Sequence, residues 1–158
     1  MMGFEETAKN FMPRIDSSIE IKLPPESVFP YLADIESQPE WVKWAKRAQV
    51  TSLNKQGVGA TDAMIMQVGP QKQQVEGLIT EYKDGQFLTR RLTKGMQLTE
   101  RLAVVKFGEG SKVAYSVEYT PPMGAMGKML DMLFMERLFG QLLNDSLTNL
   151  KERLEAGG

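Results

Sequence analysis

The chain contains neither histidine nor cysteine, which removes imidazole proton transfer, thiol nucleophiles, disulfides and the commonest metal ligands together. Chemistry is left to carboxylates, Lys, Arg, hydroxyls and phenols. Two places stand out by spacing. Glu136 falls on the same stripe of a helical repeat as Leu143, Leu147 and Leu154, where a carboxylate would be stripped of water unless Arg90, Arg91 or Arg101 pairs with it. Tyr115 and Tyr119 share one face of an alternating strand with Val117, which turns both phenols inward. Glu136 and Tyr115 are therefore the catalytic candidates, as a general acid or base, or as the polar anchor of a greasy pocket. The plainer accounts are a structural ion pair for Glu136 and core rings for the tyrosines.

Other residues would shape such a pocket. Gly140 follows Glu136 by one turn and costs a helix about 1 kcal/mol relative to Ala, so either a ligand needs the room or the helix bends there. Both accounts predict that a bulkier residue at 140 disturbs the space. The chain has 11 methionines, with Met64 and Met66 on a predicted strand, Met96 at the border of another, and Met123, Met126, Met129 and Met132 around the start of the last helix. Flexible thioethers suit a cavity that accepts several apolar shapes, and they also fill irregular cores. Trp41 and Trp44 are placed to stack on a flat ligand or to pack short helices on a sheet. The expected ligand-binding set is Trp41, Met64, Met66, Arg90, Arg101, Tyr115, Tyr119, Met129, Leu133, Glu136 and Gly140.

The elements that would hold these residues are legible from periodicity. Met129, Leu133, Leu143, Leu147, Leu150 and Leu154 recur at separations of three, four and their sums, predicting one long amphipathic helix from Met123 to about Glu155. Phe134, Met135, Leu138 and Leu142 make its other face unusually apolar for a surface helix. Upstream, turn signals at Asn54 to Gly59, Gly69-Pro70, Asp84-Gly85, Lys94-Gly95 and Gly108 to Ser111 separate six strands. These are Ala48 to Leu53, Thr61 to Val68, Gln73 to Tyr82, Phe87 to Leu92, Gln97 to Phe107 and Lys112 to Thr120. A first strand is read in the segment Ile15 to Leu23, with clean alternation from Ile19. Short helices follow at Glu26 to Ala33, with Pro25 in the first turn, and at Ile35 to Gln38, closed by Pro39. The order predicts an α+β fold, a seven-stranded curved antiparallel sheet gripping the long helix.

With 158 residues, 42% of them hydrophobic and 25% charged, the chain suits one soluble domain over residues 14–156. Residues 1–13 read as a helical extension whose Phe4, Phe11 and Met12 would cover the outer face of the long helix, in the same chain or across a homodimer. A net charge of −1 argues against a nucleic-acid partner. There is no apolar run of bilayer length and no signal peptide, so cytoplasmic residence is the expectation.

The segment Ile21-Lys-Leu-Pro-Pro-Glu-Ser-Val-Phe-Pro-Tyr-Leu-Ala-Asp-Ile-Glu-Ser-Gln-Pro-Glu-Trp41 resembles the opening of the START/Bet v 1-like (SRPBCC) superfamily, particularly its polyketide cyclase/dehydrase and lipid-transport branch. Val117-Glu-Tyr-Thr-Pro-Pro-Met-Gly-Ala-Met-Gly-Lys and the helix after it resemble that family's last strand, linker and lid helix. The resemblance implies a helix-grip fold around a hydrophobic cavity and a small hydrophobic ligand such as a lipid, quinone, sterol-like molecule or aromatic polyketide. It carries over no catalytic constellation, no cofactor and no metal. The leading expectation is binding or transport of such a ligand. The alternatives are a metal-free cyclase or dehydratase and a protein-interaction module working through the outer face of the long helix.

Overall fold

The computed structural model describes residues 13–120 and 129–157. Strands β1 (Arg14–Ile21), β2 (Ala45–Val50), β3 (Thr61–Val68), β4 (Gln71–Lys83), β5 (Phe87–Lys94), β6 (Leu98–Phe107) and β7 (Gly110–Tyr119) form one sheet. Its order is β1-β7-β6-β5-β4-β3-β2, antiparallel at every step. Helices α1 (Pro25–Ala33) and α2 (Gln38–Trp41), with a single 3-10 turn at Ile35–Ser37 between them, join β1 to β2. Helix α3 (Met129–Glu155) closes the concave side. This is the α+β helix grip that the order of elements predicts.

Period-two burial explains why these segments are strands. In β3, Asp62, Met64, Met66 and Val68 are buried while the residues between them are half-exposed, and in β7 Val113, Tyr115, Val117 and Tyr119 are buried while those between them are half-exposed or exposed. Gly85, at φ 76°, supplies the left-handed residue that the Asp84-Gly85 hairpin requires. In β4 the register shifts between Ile79 and Glu81, so that Ile79, opposite Arg90, and Tyr82, opposite Leu88, both point inward.

Several boundaries differ from expectation: β2 is Ala45–Val50 in place of Ala48 to Leu53, and two further differences have a physical reason. β1 ends at Ile21, two residues before Leu23, and its alternation runs from the start, with Ser17 taking a place in the inward sequence Ile15, Ser17, Ile19, Ile21; the Ser17 hydroxyl hydrogen-bonds the Asn144 side chain on α3. Pro39 opens the α2 turn instead of closing the one before it, since a helix has no use for an N–H in its first turn.

Phe139, Leu143, Leu147, Leu150 and Leu154 of α3 are buried, and their spacing of three and four sets the helix on the sheet and short helices. Ser146 accepts from the Lys43 N–H at 2.9 Å, and Asn149 Nδ2 donates to the Trp41 carbonyl at 3.3 Å, tying α3 to the end of α2. The buried stripe begins only at Phe139. Leu133 is 52% and Phe134 62% exposed, so Leu133 does not face the interior as its phase suggested. Met135, Leu138 and Leu142 are half-buried against the core, and hence the outer face is less bare than its composition implied. The N-terminal extension, the linker at 121–128 and the side chain of Met129 lie outside the described residues.

Each edge of the sheet hands one or two main-chain groups, at the end of its strand, to a side chain. On β1, Lys151 Nζ donates to the Glu20 carbonyl at 2.8 Å and the Lys22 N–H donates to Glu155 Oε2 at 2.8 Å. On β2, the Val50 N–H donates to Glu36 Oε2 at 2.9 Å. Among the described residues no helix is long and apolar enough to cross a membrane.

Candidate functional site

A row of charged and polar side chains crosses the concave face of the sheet. Asp62 on β3, Arg90 on β5, Glu100 on β6 and Tyr115 on β7 are all buried. Arg90 donates from Nε to Asp62 Oδ2 at 2.8 Å, from one terminal nitrogen to Asp62 Oδ1 at 2.5 Å, and from the other to Glu100 Oε2 at 3.0 Å. Glu100 Oε1 accepts from the Tyr115 hydroxyl and from Gln38 Nε2, each at 3.0 Å. Arg90 reaches Asp62 across β4 because Gly77 leaves the way clear. A Cβ on Gly77 would stand 2.5 Å from Arg90 Nε and 2.6 Å from its guanidinium carbon.

The electrostatics follow from burial and these partners. Burial would lower the Arg90 pKa, but hydrogen bonding to Asp62 and the charges of Glu100 and Asp62 outweigh it, so Arg90 is held more firmly protonated than usual. Burial first, then the charge and hydrogen bond of Glu100, push the Tyr115 phenol well above its ordinary value. Tyr115 is thus a neutral donor whose proton is committed to Glu100, which suits it poorly to act as a base.

An aromatic wall stands beside the row. The Tyr115 ring lies 5.7 Å from Trp41 and 5.5 Å from Trp44, Trp44 lies 6.0 Å from Phe139, and Phe139 lies 4.8 Å from Tyr119. Met64 and Met66 are buried on the same face of the sheet. Three polar atoms of this interior have no hydrogen-bond partner among the described residues: Gln38 Oε1, Trp41 Nε1 and the Tyr119 hydroxyl. A buried polar group without a partner costs about 1–3 kcal/mol, so the wall is an unfinished hydrogen-bonding surface. Near it, a Cβ added to Gly140 would meet nothing within 4 Å. The interface is flush where the leucines of α3 are buried, and Gly140, next to buried Phe139, is half-exposed.

Of the residues singled out by sequence, Trp41, Met64, Met66, Arg90, Tyr115 and Tyr119 come together in this interior. Glu136 and Arg101 do not join them. Glu136 is exposed, ahead of the buried stripe, and Arg90 takes its carboxylates from the sheet instead. The Glu136 charge still reaches Tyr119, whose pKa is raised by burial and then by that charge. Arg101 lies on the outer face, 4.0 Å over the Phe87 ring and 3.7 Å from Glu81, because it is out of phase with inward Glu100 and Leu102. Arg91 is likewise exposed. Gly140 is set against open space, where an added Cβ would meet nothing within 4 Å.

Sequence reasoning missed Gln38, Asp62, Gly77 and Glu100. A signal was present for three of them. Asp62 keeps phase with Met64 and Met66, Gly77 with Val75 and Ile79, and Glu100 with Leu98 and Leu102. A charged or missing side chain in an inward phase marks a polar row.

The chain is similar in fold to a START superfamily protein from Mycobacterium smegmatis, at 12% identity and TM-score 0.76, over 92% of this chain and 99% of that one. A protein from Thermus thermophilus matches at 19% identity and TM-score 0.76, again over 92% and 99%. A di-domain ARO/CYC protein from the steffimycin biosynthetic pathway matches at 12% identity and TM-score 0.76, over 98% of this chain and 55% of that one. No curated protein matches the sequence. The family model for polyketide cyclase / dehydrase and lipid transport matches residues 12–155, and with the helix grip and its gathered interior this places the chain as a member of that family.

Proposed function

We propose that the protein binds a small, largely apolar molecule under the first half of α3, with the molecule's polar end against Gln38, Trp41 and Tyr119. The observation that carries this reading is the set of three buried polar atoms without partners beside an aromatic wall. A ligand hydroxyl could donate to Gln38 Oε1, and a hydroxyl or carbonyl could accept from Trp41 or Tyr119, while its apolar body lies on Trp44, Phe139 and the methionines. The open space beside Gly140 gives that body room. Native mass spectrometry of the purified protein, with solvent extraction of what it carries, tests the reading. The expected result is a retained apolar molecule that is lost when Gly140→Trp fills the space. A bare protein that also fails to bind Nile red, a neutral solvatochromic dye, refutes it.

A cyclase or dehydratase is the second reading, favoured by the guanidinium, carboxylate and phenol held in one row. It requires turnover that disappears in Tyr115→Phe while ligand retention persists. The apolar side of residues 1–12 is the proposed cover for Leu133 and Phe134; deleting those residues is expected to lower the melting temperature or change the native mass.

A further inference from the structure

We propose that the loop between β2 and β3 is a docking element for an anionic lipid surface. This does not depend on what fills the interior.

The loop is tied down at both ends. The Thr51 N–H donates to the Thr61 carbonyl at 2.8 Å and the Thr61 N–H to Ser52 Oγ at 3.0 Å. The Gly59 N–H donates to the Ile79 carbonyl on β4 at 2.9 Å, and the Ala60 N–H to the Gly57 carbonyl at 3.2 Å. Gly57 and Gly59, at φ 91° and 94°, take left-handed turns that other residues would resist. Between these ties the chain holds two aliphatic side chains in solvent: Leu53 is 102% and Val58 63% exposed. Single exposed aliphatics are common on any surface. The charges around this pair choose its partner.

From Trp41 to Thr61 the sequence carries Lys43, Lys46, Arg47 and Lys55 and no carboxylate, in a chain whose net charge is −1. All four cations are exposed, and none forms an ion pair among the described residues. Lys55 lies in the loop itself. Arg47 and Lys46 stand about 10–13 Å back along β2 from Val50, within reach of a surface at low salt, where the Debye length is about 30 Å, and partly screened at physiological salt, where it is about 8 Å. Lys43 lies farther back and adds least.

Nearby carboxylates set the angle of approach. Glu36 is held at the base of the loop by the Val50 N–H, and Asp84 and Glu109 occupy the other two hairpin turns at this end of the sheet. Contact is therefore through the β2 side, which keeps those turns away. An anionic bilayer meets both demands: its interface takes the aliphatic tip and its headgroups face the cations. A nucleic acid meets only the second, since the loop offers no aromatic ring on which a base could stack. Two aliphatic side chains and a few cations make a weak, reversible contact, one that lets a protein arrive and leave.

The test is flotation of the whole protein with vesicles of phosphatidylcholine alone, and of phosphatidylcholine and phosphatidylglycerol in equal parts, at low and physiological salt. The expected result is binding to the anionic vesicles on the order of tenfold stronger at low salt, falling as salt is raised. Leu53→Asn combined with Val58→Thr should cut that binding severalfold, and Lys55→Gln should cut it too, with melting temperatures unmoved because these side chains are exposed. Equal binding to both kinds of vesicle, or none, overturns the proposal. So does a double variant that floats as the wild type does; if single-stranded RNA then competes with the vesicles, the cations serve a nucleic acid instead.

Discussion

Arg90 is the residue on which the interior balances, because it is the shared partner of two buried carboxylates. Arg90→Leu leaves both uncompensated and is expected to cost about 3–5 kcal/mol in urea unfolding, the range for breaking a buried ion pair. Gly77→Ala attacks the same contact from the opposite side by pressing a methyl group into the guanidinium, with an expected loss of about 1–3 kcal/mol. Tyr115→Phe takes one donor from Glu100 and should cost about 1–3 kcal/mol near neutrality. It should also change the alkaline limb. The Tyr115 pKa is raised on folding, so the stability it contributes is whole below the ordinary phenol value of about 10 and drains away as pH climbs from there toward the folded pKa. Melting temperatures taken upward from pH 9 should therefore fall less steeply in the variant than in the wild type, the remaining slope coming partly from Tyr119, which is raised as well. A parallel fall in both proteins would show that the Tyr115 proton is not held by folding. At this scale the sequence was half legible. Arg90 and Tyr115 could be picked out by type and phase, but their partners lie on strands separated by tens of residues, and pairing across a sheet depends on register that periodicity alone does not reveal.

Helix α3 shows how far a periodic pattern can be trusted. The stripe from Leu143 to Leu154 is buried as its spacing demands. The same phase extended backward to Glu136 and Leu133 misleads, since periodicity gives the side of a helix and says nothing about where its supporting surface stops. Gly140 sits near that boundary. Gly140→Ala adds a methyl group to open space and removes the helix penalty of glycine, so it should stabilise the protein by up to about 1 kcal/mol. Farther along, Leu147→Ala empties a packed position and should cost about 2–5 kcal/mol. Differential scanning calorimetry of the two variants separates the halves of the helix; a destabilising Ala at 140 would mean that the space there is already filled.

On the scale of the whole molecule, the order of strands and helices was readable almost throughout, because each turn carries its own chemical punctuation and the strands between turns alternate. What composition and periodicity could not supply was the lateral dimension: the row from Asp62 to Tyr115 belongs to no single segment and exists only once β3 to β7 lie side by side. The same lateral view gives meaning to the capped margins of the sheet. A row of unsatisfied main-chain groups is a template on which another extended chain can add itself. Here Lys151 and Glu155 take two main-chain groups at the end of one such template and Glu36 takes one at the end of the other. An added strand would have to displace these three side chains, which stand outside the pocket and are free to be retained whatever guest the interior comes to prefer.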